Sequence, residues 1–194
     1  MQAENFITSS KKQFAYYKSL GDRSFAQLAP EQFFVAPNEQ SNSISIIVNH
    51  LHGNMMSRWT DFLTSDGEKE FRKRDQEFEA VIKDVQEMHQ KWEQGWKVLF
   101  DALDAVDAQN IDTIIYIRNQ GHSIVEAIQR QLCHYAYHVG QIVFYAKQLS
   151  EEGGFESLSI PKGQSKIYNQ EKFAQEKNKR HFTDEYLKPK DKNE

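Results

Sequence analysis

Cysteine is almost missing from this chain of 194 residues: Cys133 stands alone, so no internal disulfide can form. That suits a reducing compartment and leads us to expect a cytoplasmic protein. Only four prolines and nine glycines interrupt the chain, as in a mainly helical protein. No apolar run approaches the ~18 residues of a membrane span. The opening MQAENFITSSKKQF lacks the basic stretch and apolar run of a secretory signal. Excess positive charge is missing too, because 24 Lys and Arg meet 28 Asp and Glu, a net charge of −4. Nucleic acid and membrane are therefore not expected as partners, whereas a small-molecule substrate is. No unit repeats at a period of about 20–50 residues, which argues against a solenoid.

What is present is helical periodicity. Phe6, Ile7, Phe14, Tyr17, Leu20, Phe25 and Leu28 recur at steps of three or four, or their sums, and predict a helix over 4–28, ended by Ala29-Pro30. Ile44, Ile47, Val48, Leu51, Met55, Trp59 and Phe62 predict a second helix over 43–63. A third is expected over 76–106, from Phe78 through Trp92 and Trp96 to Val106, with Asp75 as its N-cap. The β-branched stretch IDTIIYIRNQG reads as extended, a short strand or hairpin arm. A fourth helix follows over 123–149. Ser123 with Glu126 three residues on makes a capping box, each side chain satisfying a free backbone N–H of the other. Glu151-Glu152-Gly153-Gly154 should stop this helix.

Four amphipathic helices with long connections predict an all-α fold, a four-helix bundle over 1–168. The remaining 169–194 form a charged tail, either a short docked helix or disordered.

The fourth helix carries His134 and His138, four residues apart. At ~3.6 residues per turn both rings leave the same side. Two such imidazoles can hold a metal ion or can be ordinary boundary histidines, and the spacing alone leaves the second reading the commoner one. On the same polar flank are Gln131, Gln141 and Tyr145. A third nitrogen ligand would have to come from the second helix. There His50 lies on the flank beside Ile47 and Asn54, and His52 nearer the centre of the apolar stripe. The wheel favours His50 without deciding. Cys133 points about 100° away from His134 and reads as a small packed side chain.

NHLHGNMMSRWTDFLTSDGEK, RKRDQEF and QRQLCHYAYHVGQIVFYAKQL, taken in order, resemble the DinB-like superfamily of metal-dependent four-helix bundles, and more narrowly a bacterial branch labelled as of unknown function. The resemblance spans roughly residues 5 to 165. It implies one metal ligand from the second helix and two from the last, which match His50, His134 and His138. Around them, Asn54, Gln131, Gln141 and Tyr145 are the expected second layer, since metal-bound histidines pass their other N–H to such groups. Three imidazoles leave a coordination position open, and suit zinc, nickel or iron. Relatives of this kind include thiol S-transferases, so the resemblance implies a metal-dependent S-transferase or hydrolase, a low-molecular-weight thiol as second cofactor, and a homodimer. The alternative is a non-enzymatic dimeric binding or stress protein with a structural or vacant metal site.

Overall fold

Three side chains set where the main helices begin. Ser43 accepts the backbone N–H of Ile46, Asp84 that of Glu87, and Ser123 that of Glu126. Each satisfies one of the donors a helix start leaves free. The computed structural model describes residues 2–150 and 154–187. Among these residues the α-helices are α1 (Gln2–Phe25), α2 (Ile44–Trp59), α3 (Val85–Asp104), α4 (Ile124–Leu149) and the short α5 (Ser165–Phe173). Strands β1 (Ile114–Ile117) and β2 (Gln120–Ser123) form one antiparallel hairpin. The protein is thus a mainly helical bundle with one small hairpin, as the periodicity predicts.

The long helices pack as two pairs, α1 on α4 and α2 on α3, closed around one core. Phe14 of α1, Trp96 of α3 and Tyr135 of α4 meet at its centre, with ring centroids 5.9–6.5 Å apart. Aromatic pairs at such distances add to the gain from burial itself. Tyr135 also ties α4 to α2. Its hydroxyl accepts from Trp59 Nε1 and donates to Asn54 Oδ1, both at 3.0 Å. Gly95, which interrupts the apolar stripe of α3, has a packing reason. A Cβ there would press on Met55 Sδ at 3.0 Å and on the His52 backbone at 3.3 Å, so glycine lets α2 and α3 approach.

The third helix starts later than its stripe suggests. Asp84, not Asp75, is its cap, and Arg74–Phe78 is a 3-10 turn followed by extended chain. Long-range bonds hold this strap against α2: Asn49 Nδ2 donates to the carbonyls of Gln76 and Glu77, and Glu77 is buried. A carbonyl bonded to another helix is less available to its own, so the periodic Phe78 and Val81 stay outside α3 and are exposed.

The hairpin matches the extended reading of IDTIIYIRNQG. Its two-residue turn is Arg118-Asn119, both at positive φ, 56° and 60°. Such φ values match the twist of a tight hairpin, but asparagine and glycine are the usual occupants. Asp66 holds the turn, taking the N–H groups of Arg118 and Asn119 at 2.8 Å each. Beyond α5, a 3-10 turn Phe182–Glu185 docks on α1 through Lys12–Asp184 and the edge-to-face contact of Phe182 with Tyr16. Most of the proposed stop at Glu151-Glu152-Gly153-Gly154 and the last seven residues of the tail lie outside the described residues; α4 itself ends at Leu149, capped by Ser150.

Candidate metal centre

His50 enters the bundle from the middle of α2, while His134 and His138 leave one face of α4 a turn apart. The two helices bring the three rings together. His134 Nε2 lies 3.2 Å from His50 Nε2 and 3.1 Å from His138 Nε2. One ligand atom from each ring fits within 4.8 Å of the others, so the cluster can hold a metal ion. Two zinc–nitrogen bonds of about 2.0–2.1 Å at the tetrahedral angle place their nitrogens roughly 3.3 Å apart, close to the two spacings that His134 makes.

The far side of each ring shows which nitrogen carries the proton. His50 Nδ1 faces Glu77 Oε2 at 2.9 Å, His138 Nδ1 faces Gln141 Oε1 at 2.9 Å, and His134 Nδ1 faces Gln131 Oε1 at 3.4 Å. These oxygens are acceptors, so each ring donates its Nδ1–H outward. That leaves three Nε2 lone pairs pointing at one another, which repel unless a cation lies between them. A histidine–histidine hydrogen bond would relieve one contact only by moving a proton away from its oxygen partner. Burial is the largest cause holding His134 down to about 3 and His138 to about 4, and the charges of neighbouring histidines add to it. Both rings are therefore neutral, ligand-ready imidazoles at neutral pH.

Glu77 is the residue that periodicity misplaces. It falls in the first turn of the expected third helix, yet it lies outside α3 with its side chain 7 % exposed, paired with an Arg72 side chain that is 2 % exposed. Arg72 Nε reaches Oε1 at 2.7 Å and Nη2 reaches Oε2 at 3.0 Å, a two-pronged pair that also orients the carboxylate on His50. Burial works against its charge, but hydrogen bonds from His50 and Arg72 keep Glu77 below the usual carboxylate range. Gly53 makes the room: a Cβ at that position would run into Glu77 Oε1. The signal available in the sequence was a glycine inside a helix, one turn past His50.

The other candidates fall in three places. Gln131 and Gln141 sit beside the rings of α4, as just described. Asn54 lines the cavity, but its carbonyl oxygen is taken by Tyr135. Tyr145 lines a neighbouring groove with Pro37, Ile47 and Gln141, and among the described residues it makes no hydrogen bond to the three histidines. His52 turns away to Gln94 Oε1 at 3.0 Å. Cys133 is exposed, not packed.

The histidines open into a cavity of about 440 Å³. Five arginines line it, Arg58, Arg72, Arg74, Arg118 and Arg130, together with Phe78 and Tyr137. Phe78 stacks on His50 with centroids 4.7 Å apart and covers one side of the cluster. Arg58 and Arg72 are held from behind by Glu68, at 3.1 and 3.2 Å, and Arg58 also donates to Gly67 O.

Fold and site together define a helical-bundle protein with a three-histidine cluster able to take a metal ion. The chain belongs to the family described as "Protein of unknown function (DUF1572)", whose family model matches residues 1–164. No curated protein and no solved structure proved similar to it. No helix among the described residues is long and apolar enough to cross a membrane.

Proposed function

We propose that the protein is a metal-dependent enzyme of the DinB-like superfamily, with His50, His134 and His138 holding one divalent ion of zinc, nickel or iron, and that it catalyses group transfer to a thiol. The observation that carries this reading is the convergence of three Nε2 atoms whose Nδ1 protons are all directed elsewhere. Glu77, Gln131 and Gln141 fix the ring orientations, so the donors need no rearrangement to bind. Three protein ligands leave a position toward the cavity for a substrate atom, the pattern of catalytic rather than structural sites. When bound, the ion supplies a positive charge that favours the deprotonated form of a thiol or water beside it.

The lining favours transfer over hydrolysis. Among the described residues no carboxylate lines the cavity, so no side chain stands ready to take a proton from water as a general base. A thiol, far more acidic than water before any metal acts on it, needs such a base less than water does, and Phe78 covers one side of the cluster. A homodimer belongs to the same reading. Tyr137 and Phe144 on α4, 63 % and 65 % exposed, offer apolar surface for it.

Elemental analysis of freshly purified protein, followed by a screen of small thiols against electrophiles, tests the proposal. The expected result is one metal ion per chain and thiol consumption that stops with a chelator. Thiol consumption indifferent to metal removal would reject the enzymatic reading, and a fold that collapses on chelation would replace it with a structural pin.

A further inference from the structure

The arginines around the cavity need a reason of their own. A site built only to attract a dication would be lined with carboxylates, since like charges at a few ångströms in a partly buried cavity repel strongly. Here, among the described residues, the wall holds five guanidiniums and no carboxylate, on a chain whose net charge is −4. Positive charge has been concentrated at this spot against the balance of the whole protein.

Two of the five are committed to structure. Arg72 is spent on Glu77 and Glu68, and buried Arg58 on Glu68 and Gly67 O. The other three are exposed at the rim. Arg118 touches Glu68 through Nε at 3.3 Å, with its side chain 58 % exposed. Among the described residues Arg74 and Arg130 have no carboxylate partner. Arg74 lies over the Phe78 ring at 5.5 Å, and Arg130 beside His122 at 3.4 Å. Three separate elements present them: the strap before α3, the hairpin turn and α4.

The hairpin turn adds a second, independent observation. Arg118 occupies a left-handed position that favours glycine or asparagine, and Asp66 gives one oxygen to its N–H and the other to that of Asn119. Burial is the largest single effect on Asp66 and disfavours its charge, but backbone N–H groups of Asn119, Glu68 and Arg118 together hold its carboxyl below the usual range, so the clamp stays charged. Local strain of this kind persists only where its surroundings enforce it, and it concentrates at ligand sites.

We infer that Arg74, Arg118 and Arg130 form an oxyanion subsite that holds a phosphate or carboxylate group of the substrate while its reacting atom reaches the histidine cluster. This rests on the proposed metal site for its catalytic sense, but not for binding the anion. Guanidiniums suit the task because their planar fork offers paired N–H donors to two oxygens and keeps its charge at any working pH. The substrate class follows: a small anionic electrophile or an anionic thiol, rather than a neutral apolar one.

Calorimetric titration with inorganic phosphate and with succinate, on chelator-treated protein, tests the subsite. The wild type should bind at least one of them. Arg74→Gln, Arg118→Gln and Arg130→Gln should each weaken it about tenfold, the scale of a lost charged hydrogen bond. These side chains are exposed, so the variants should keep the wild-type circular dichroism spectrum. His134→Ala should lose metal yet keep its affinity for the anion. Which of the two anions binds tells phosphate from carboxylate. Failure of both to bind overturns the inference, as does binding that vanishes in His134→Ala but survives in the arginine variants, which would put the anion on the histidine cluster and not on the arginines. Anion binding by a wild type that takes up no zinc would instead sink the metal reading and leave the subsite standing.

Discussion

Glu77 Oε2 lies 2.9 Å from Nδ1 of His50, and the same carboxylate is gripped by two nitrogens of Arg72. This contact fixes which nitrogen of His50 faces the cluster. Glu77→Gln keeps the shape but removes the negative charge that faces Nδ1 of the ring. Such outer partners are typically worth about 10–100-fold in metal affinity. We expect a loss in that range in a competition titration against a chelator. Glu77→Ala should also destabilise the fold in chemical denaturation, by up to about 3 kcal/mol, because it leaves the buried Arg72 guanidinium with Glu68 as its remaining carboxylate partner.

Gly53 should matter without touching any ligand. Gly53→Ala improves helix propensity by about 1 kcal/mol, so an isolated helix would gain. Here the added methyl displaces Glu77 from His50. The expected outcome is weaker zinc binding in the same competition titration. Unchanged affinity would show that Glu77 can move aside without consequence.

The cap on α4, the hairpin and the stripe of α2 were legible because each rests on local chemistry, such as Ser123 with Glu126 or the β-branched run after Ile111. The start of α3 was not, since Asp75 reads locally as a cap, while the segment after it is bonded to Asn49 in another helix and the cap is Asp84. For the candidate site, the placement of three imidazoles followed from helical spacing plus the family resemblance. Glu77 and the arginine wall did not, because charges brought together from positions 58, 72, 74, 118 and 130 leave no periodic trace. Tyr145 shares a flank with His138 on a wheel, yet two turns along the helix it meets Pro37 and Ile47 instead.

Tyr135 joins α4 to α2 through one hydroxyl. Tyr135→Phe leaves Trp59 Nε1 without an acceptor and Asn54 Oδ1 without its donor, both buried. A cost of about 1–3 kcal/mol is expected in urea denaturation. A loss near zero would mean that water or a repacked neighbour satisfies both groups.

Acid should loosen the cavity wall through Glu68. Burial alone would raise its carboxyl, but the Arg58 hydrogen bond and the charges of Arg72, Arg58 and Arg118 hold it below the ordinary value of 4.5. A carboxylate depressed in the folded state stabilises the fold above its unfolded pKa, and that contribution fades as pH falls through the folded one. Between pH 5 and pH 3 (about the window this shift implies), wild-type melting temperature should fall more steeply than that of Glu68→Gln. Parallel curves would assign the acid sensitivity to other groups.

The most direct test is calorimetric titration of metal-free protein with zinc, comparing the wild type with His50→Ala, His134→Ala and His138→Ala. Convergence of three rings on one ion predicts a single site per chain in the wild type, and a loss of about a hundredfold or more in each variant. Binding that is equally tight in all four proteins, or more than one equivalent site per chain, would contradict it.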